Sequence, residues 1–114
     1  MSHTEHEDAA AVPLVKPVRF WVWNQPRVAE ALELSERGVF LKTASVLGEG
    51  QHLTLRLELP SDGRITVLGR VVRTVKGGLL ATTGMGVRFL DLTPSQRASI
   101  GQFVESRAIA GLAA

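Results

Sequence analysis

Residues 53–59 read Leu-Thr-Leu-Arg-Leu-Glu-Leu, an unbroken alternation of leucine with polar residues. Successive side chains of an extended strand point to opposite faces, so this segment buries four leucines on one face and wets the other. One strand cannot meet that demand alone; it needs a sheet with an apolar cover over its inner face. Pro60-Ser61-Asp62-Gly63 has hairpin-loop chemistry, and Ile65–Val75 returns as a long strand. Gly69 and the adjacent pair Val71-Val72 interrupt its alternation, which predicts a bulge or bend there.

The rest of the chain repeats this grammar. Pro17–Trp23 is β-branched and aromatic, which predicts a strand with Val18, Phe20 and Val22 on one face and Arg19, Trp21 and Trp23 on the other. Asn24-Gln25-Pro26 reads as a turn. Val28–Leu34 and Val39–Thr43 read as strands joined by the tight connection Ser35-Glu36-Arg37-Gly38. Leu47–Gly50 is a break, Lys76–Gly84 a loop, and Met85–Leu90 a last strand with Met85, Val87 and Phe89 in the core. Thr93-Pro94-Ser95-Gln96 then carries a capping box with proline at the first helical position. Ile100, Phe103, Val104 and Ala108 follow at helical spacing, with fraying expected from Ala110. Six or so short antiparallel strands with turns every roughly 8–12 residues, followed by one helix, make the fold class mainly β: a small β-barrel or curled sheet.

At 114 residues the chain has the size of one domain. No apolar run reaches 18 residues, so membrane insertion is not expected, and the first residues lack the pattern of a secretory signal. The absence of cysteine excludes disulfides, thiolate metal sites and cysteine nucleophiles, and it fits a cytoplasmic location. Residues 1–12 are expected to be a disordered acidic tail, 13–110 the folded domain and 111–114 a frayed end. His3 and His6 read as solvated tail residues rather than a metal site, and His52 as a surface strand residue.

The tail holds Glu5, Glu7 and Asp8 and no Lys or Arg. The remaining residues hold all 13 Lys and Arg against 8 of the 11 Asp and Glu, a net +5. Such a balance suits an anionic partner: a nucleotide, a nucleic acid or an acidic protein surface. Aromatic residues make up only 5% and no RNA-binding motif occurs, so a nucleic-acid partner is not expected. Arg56, Arg64, Arg70 and Arg88 fall on the solvent parity of their strands and read as solvated charges that blunt sheet edges. No Ser/His/Asp arrangement, metal cluster, phosphate loop or paired-carboxylate motif stands out, so an enzyme is not expected.

Four segments, in order, resemble the PilZ domain family over roughly residues 15–107. They are Lys16-Pro17-Val18-Arg19-Phe20, Glu33-Leu34-Ser35-Glu36-Arg37-Gly38-Val39-Phe40-Leu41, Gly69-Arg70-Val71-Val72, and Met85-Gly86-Val87-Arg88-Phe89-Leu90-Asp91-Leu92-Thr93. The Glu33–Leu41 segment is similar to the family's Asp/Asn-x-Ser-x-x-Gly motif. The Met85–Thr93 segment is similar to its Gly-[Ile/Val]-x-Phe strand leading into the closing helix. The resemblance implies a six-stranded antiparallel β-barrel closed by a C-terminal α-helix and a role in bacterial signalling. It also implies cyclic di-GMP as a candidate ligand, with no other cofactor required.

In the family, two arginines of an Arg-x-x-x-Arg motif grip phosphate and guanine, a task for the planar donor fork of guanidinium. With Lys16 in the second arginine's place, the first falls on Val12. The Asp/Asn place is Glu33, and only Ser35 and Gly38 match outright. The nucleotide-binding set, if retained, is therefore Lys16, Arg19, Glu33, Ser35 and Gly38; Ser35 and Gly38 also read simply as builders of the turn. Each lost charged hydrogen bond is worth about 1.5–3 kcal/mol, so two lost arginine functions imply an affinity weaker by about two to four powers of ten. The expectation is a non-enzymatic adaptor that contacts a bacterial signalling or motility protein and binds cyclic di-GMP weakly or not at all. A functional receptor with a variant site is the alternative. Arg19, Trp21 and Trp23 are the candidate partner-binding residues, against the reading that the helix or tail covers them.

Overall fold

The computed structural model describes residues 11–60, 63–78 and 82–113. Six strands precede one helix: β1 (Val12–Val22), β2 (Gln25–Leu34), β3 (Gly38–Lys42), β4 (His52–Leu59), β5 (Gly63–Val75), β6 (Gly84–Leu90) and α1 (Pro94–Ala113). The strands close into an antiparallel barrel in the order β1-β2-β3-β6-β5-β4. Closure leaves the sheet without open edges, and the alternating side chains divide into an inside and an outside.

The leucine alternation drives this division. Leu53, Leu55, Leu57 and Leu59 are all buried, while the polar residues between them reach the surface to differing degrees. They meet Phe20, Leu34, Leu41, Val71, Met85 and Val87 in one core. The helix covers that core with Ile100, Phe103 and Val104 and packs against β1 and β4. Its start is fixed as the capping box predicts: the Gln96 backbone N–H donates to Thr93 Oγ1 at 3.0 Å, and the Thr93 N–H donates to Gln96 Oε1 at 3.1 Å. Gln96 Nε2 also donates to the Thr66 carbonyl at 3.0 Å, tying the helix start to β5. The predicted irregularity in β5 is a bulge at Val72, with Val71 opposite Val87 and Arg73 opposite Gly86.

Several boundaries differ from the expectation. β1 begins at Val12, not Pro17, and Val12 and Leu14 are buried, so the folded domain includes the end of the segment expected to be tail. An irregularity between Pro13 and Lys16, with Val15 at φ 47°, hides this strand from a pattern search. Residues 1–10 of that tail, with His3 and His6, lie outside the described residues, as do Ser61 and Asp62 of the hairpin loop, residues 79–81 of the loop before β6, and Ala114. The first turn is Trp23-Asn24 rather than Asn24-Gln25-Pro26, because Val22 pairs with Gln25. Both turn residues have positive φ, 53° and 65°, the backbone that a two-residue loop needs to match the strand twist. The helix runs to Ala113, through the segment from Ala110 that was expected to fray.

Candidate functional site

The β2–β3 turn is built by its serine. The Ser35 hydroxyl accepts from the N–H groups of Arg37 and Gly38, both at 3.2 Å, and donates to the Gly38 carbonyl at 3.3 Å. The Ser35 N–H donates to the same carbonyl at 2.9 Å. The turn is then fastened to β6, where the Phe89 N–H donates to the Arg37 carbonyl at 2.8 Å. At Gly38 a Cβ would lie 2.2 Å from the Val87 carbonyl oxygen, so only glycine lets β3 approach β6 this closely. Ser35 and Gly38 thus perform the structural task read from the sequence, and it fully occupies the hydroxyl.

Beside this turn lies an open cleft of about 330 Å³. Glu33, Ser35 and Gly38 are among its lining residues. Three further cations join them: Arg37 from the turn, Arg73 from β5 and Arg88 from β6. Arg73 is steadied by the Phe40 ring, with its guanidinium carbon 5.6 Å from the ring centroid, a cation–π arrangement. Gly86 lies opposite it and also lines the cleft. The Val72 bulge sets where Arg73 falls, as bulges near binding sites commonly do.

The other two residues of the expected set are elsewhere. Lys16 pairs with Ala31 and Arg19 with Val28 and Arg56, and neither lines the cleft. The residue that reaches the cleft from the start of the chain is Ala11. The structure therefore brings Glu33, Ser35 and Gly38 together and separates them from Lys16 and Arg19. Arg37 stands inside the motif and is legible from it. Arg88 reads from the sequence only as an outer-face charge, yet it is half-buried in the cleft wall. Arg64 and Arg70 are exposed as expected, with Arg64 paired to Glu58 at 3.3 Å.

Another concave region, of about 500 Å³, lies at the β1–β2 hairpin and the start of β4. Trp21, Trp23, Asn24, His52, Thr54 and Leu68 are among its walls. Trp21 is half-buried beneath Arg56, whose guanidinium carbon sits 4.9 Å from the ring centroid. Trp23 stands at the hairpin tip and is 87% exposed. It does not share a strand face with Trp21, because β1 ends at Val22, but the turn brings both rings to one groove. No cover lies over Trp23 among the described residues. Among those residues, too, no group of three His, Asp or Glu side chains could hold a metal ion.

A closed six-stranded antiparallel barrel stoppered by one C-terminal helix, with a polar cleft at the β2–β3 turn, defines a narrow class of domain. The family model for the PilZ domain matches residues 17–106, and the chain belongs to that family. Solved structures agree on the fold. The Bacillus subtilis inhibitor of motility (MotI/DgrA) superimposes with a TM-score of 0.72 at 15% identity, covering 89% of this chain and 51% of the other. This chain thus spans about half of that protein. The PilZ domain of YcgR from Escherichia coli, solved with c-di-GMP, gives 0.64 at 18% identity over 90% of this chain and 92% of that one. The PilZ domain of CeSA from a cellulose-synthesizing bacterium gives 0.59 at 17% identity, over 91% and 98%. No curated protein matches at the sequence level.

Proposed function

We propose that this PilZ domain is a non-enzymatic adaptor of bacterial signalling. It acts in the cytoplasm through contact with a signalling or motility protein and binds cyclic di-GMP weakly or not at all. The observation that carries this reading is Trp23, a large apolar side chain held 87% exposed at a hairpin tip beside the Trp21–Arg56 stack. Trp and Arg are the residues most enriched where protein partners bind tightly. The separation of Lys16 and Arg19 from the Glu33–Ser35–Gly38 cleft supports the weak-binding half of the reading. A relative described as an inhibitor of motility is consistent with a regulatory role in movement.

Two experiments test it. Calorimetric titration with cyclic di-GMP is expected to give no saturable binding in the low-micromolar range; a dissociation constant at or below that range overturns the weak-binding claim. Affinity capture with the wild type is expected to recover a signalling or motility protein that Trp23→Asn loses and the control Arg64→Gln keeps. Equal recovery by all three would sink the aromatic-face claim.

One observation favours an alternative reading. Arg37, Arg73 and Arg88 line the cleft with the motif residues and offer guanidinium forks from the barrel wall. On that reading the domain is a functional cyclic di-GMP receptor with a variant site, like the ligand-bound relative YcgR. The same titration separates the two.

A further inference from the structure

The groove beside the β1–β2 hairpin belongs to a longer band on the outer face of the barrel. Strand register places Pro26, Trp21, Thr54, Leu68 and Leu90 side by side, one each from β2, β1, β4, β5 and β6. Neighbouring strands lie about 4.8 Å apart, so this row runs about 19 Å around the barrel. Trp23 stands exposed at the same groove. Cations flank the row on both sides. Two positions along the strands in one direction, Arg19 lies directly opposite Arg56. Two positions along in the other, His52 lies directly opposite Arg70. Arg19, His52 and Arg70 are exposed and Arg56 is half-buried. Among the described residues, no carboxylate lines the groove. The carboxylates closest in register are Glu58, two positions beyond Arg56 and held by Arg64, and Glu30, diagonal to Arg19 and opposite Lys42. Asp91 follows the last residue of the row and is exposed.

Like charges directly opposite each other on paired strands are destabilising, so the Arg19–Arg56 pair costs the fold stability. Trp23 at φ 53° is a second cost, because left-handed backbone disfavours a bulky side chain. Both costs fall on one exposed band. Arg56 is stacked on the Trp21 ring, and a stacked guanidinium keeps in-plane N–H donors that a carboxylate can accept from. From this placement we propose that the band docks an acidic segment of a partner protein. A large apolar side chain of that segment enters the groove between Trp21, Trp23 and Leu68. Carboxylates on either side of it meet the Arg19–Arg56 pair and Arg70. The inference rests on the adaptor reading and names the chemistry of its partner. Exposed ion pairs add little affinity each but steer approach and select the partner. The aromatic groove therefore carries the affinity, and the flanking arginines decide that the partner is acidic. A neutral or basic segment would leave Arg19 facing Arg56 with no counter-charge between them.

A phage-displayed library of random linear peptides, selected on the immobilised full chain, tests this. Selected sequences are expected to carry Asp or Glu close to a Trp, Phe or Leu, well above the library frequency. Synthesised as free peptides, they are expected to shift the indole N–H signals of Trp21 and Trp23 and the amides of Thr54 and Leu68. The amides of Arg37 and Gly86, in the cleft, are expected to stay in place. Trp23→Asn is expected to weaken these peptides by about tenfold or more, as at an interface hot spot. Arg19→Gln/Arg70→Gln, at exposed positions, is expected to weaken them by about fivefold, and replacing their acidic residues by amides should do the same. Arg64→Gln should change nothing. Peptides that need Trp23 but show no acidic enrichment, or that ignore Arg19→Gln/Arg70→Gln, overturn this inference and leave the adaptor reading standing. Peptides that bind Trp23→Asn as well as wild type overturn both, as does a selection that enriches no sequence. Displacement of the peptides by a labelled oligothymidine at lower concentration would assign the band to single-stranded nucleic acid and overturn the inference. Self-association in sedimentation that Trp23→Asn abolishes would assign it to a second copy of the chain, with the same result.

Discussion

Gly38 shows how tightly single residues are specified here. Alanine at this position would place a methyl 2.2 Å from the Val87 carbonyl oxygen, and neither strand can yield without breaking pairs. Gly38→Ala is expected to destabilise the domain by about 2–3 kcal/mol, in line with forced overpacking, as read by urea denaturation. Ser35→Ala removes the acceptor and donor that hold the β2–β3 turn. Its expected cost is about 1 kcal/mol without any ligand present, which separates the turn-building role from a binding role. Trp23 behaves oppositely. A bulky aromatic at φ 53° sits where asparagine or glycine is preferred, and it gains little burial in return. Trp23→Asn is therefore expected to leave thermal stability equal or raise it by up to about 1 kcal/mol while abolishing partner capture. A loss of stability instead would assign Trp23 to the fold.

The helix makes the same case for elements. The capping box Thr93–Gln96 and the Gln96–Thr66 bond set where α1 begins and how it docks on β5. Thr93→Ala is expected to cost about 1 kcal/mol, the usual worth of an N-cap. Ile100→Ala, at a fully buried position, is expected to cost about 2–5 kcal/mol. Both are measured by denaturant unfolding, and equal costs would mean that α1 is held by its cap rather than by burial. The helix, its cap and the alternating strands were legible in advance because each is a local pattern. An irregularity near Val72 was legible too, since the adjacent pair Val71-Val72 departs from strict alternation; in the structure Val71 is buried while Val72, at the bulge, is exposed. The start of β1 was not legible: the irregularity between Pro13 and Lys16 breaks the pattern that a strand search relies on. Nor was the first turn, where Trp23 takes a backbone conformation that its side chain disfavours.

The whole molecule is one core closed by strand pairing and stoppered by α1. Such an arrangement is expected to unfold as a single unit, so tryptophan fluorescence and far-ultraviolet circular dichroism should trace coincident transitions in urea. An earlier fluorescence transition would show that the hairpin bearing Trp21 and Trp23 opens before the barrel. At this scale the sequence alone determined most of the strands, the closing helix, an irregularity in β5 and the tight turn Ser35–Gly38, because side-chain alternation, capping and turn chemistry act between near neighbours; Glu33 joins Ser35 and Gly38 in one motif only through the family resemblance. Only the tertiary structure decided which cations share that motif's cleft. Arg73 and Arg88 reach it because β3 pairs with β6 across about half the chain and β6 pairs in turn with β5. Lys16 and Arg19 miss it although they precede the motif closely. A cleft is assembled by strand register, and a shift of one residue turns a side chain to the other face of the sheet.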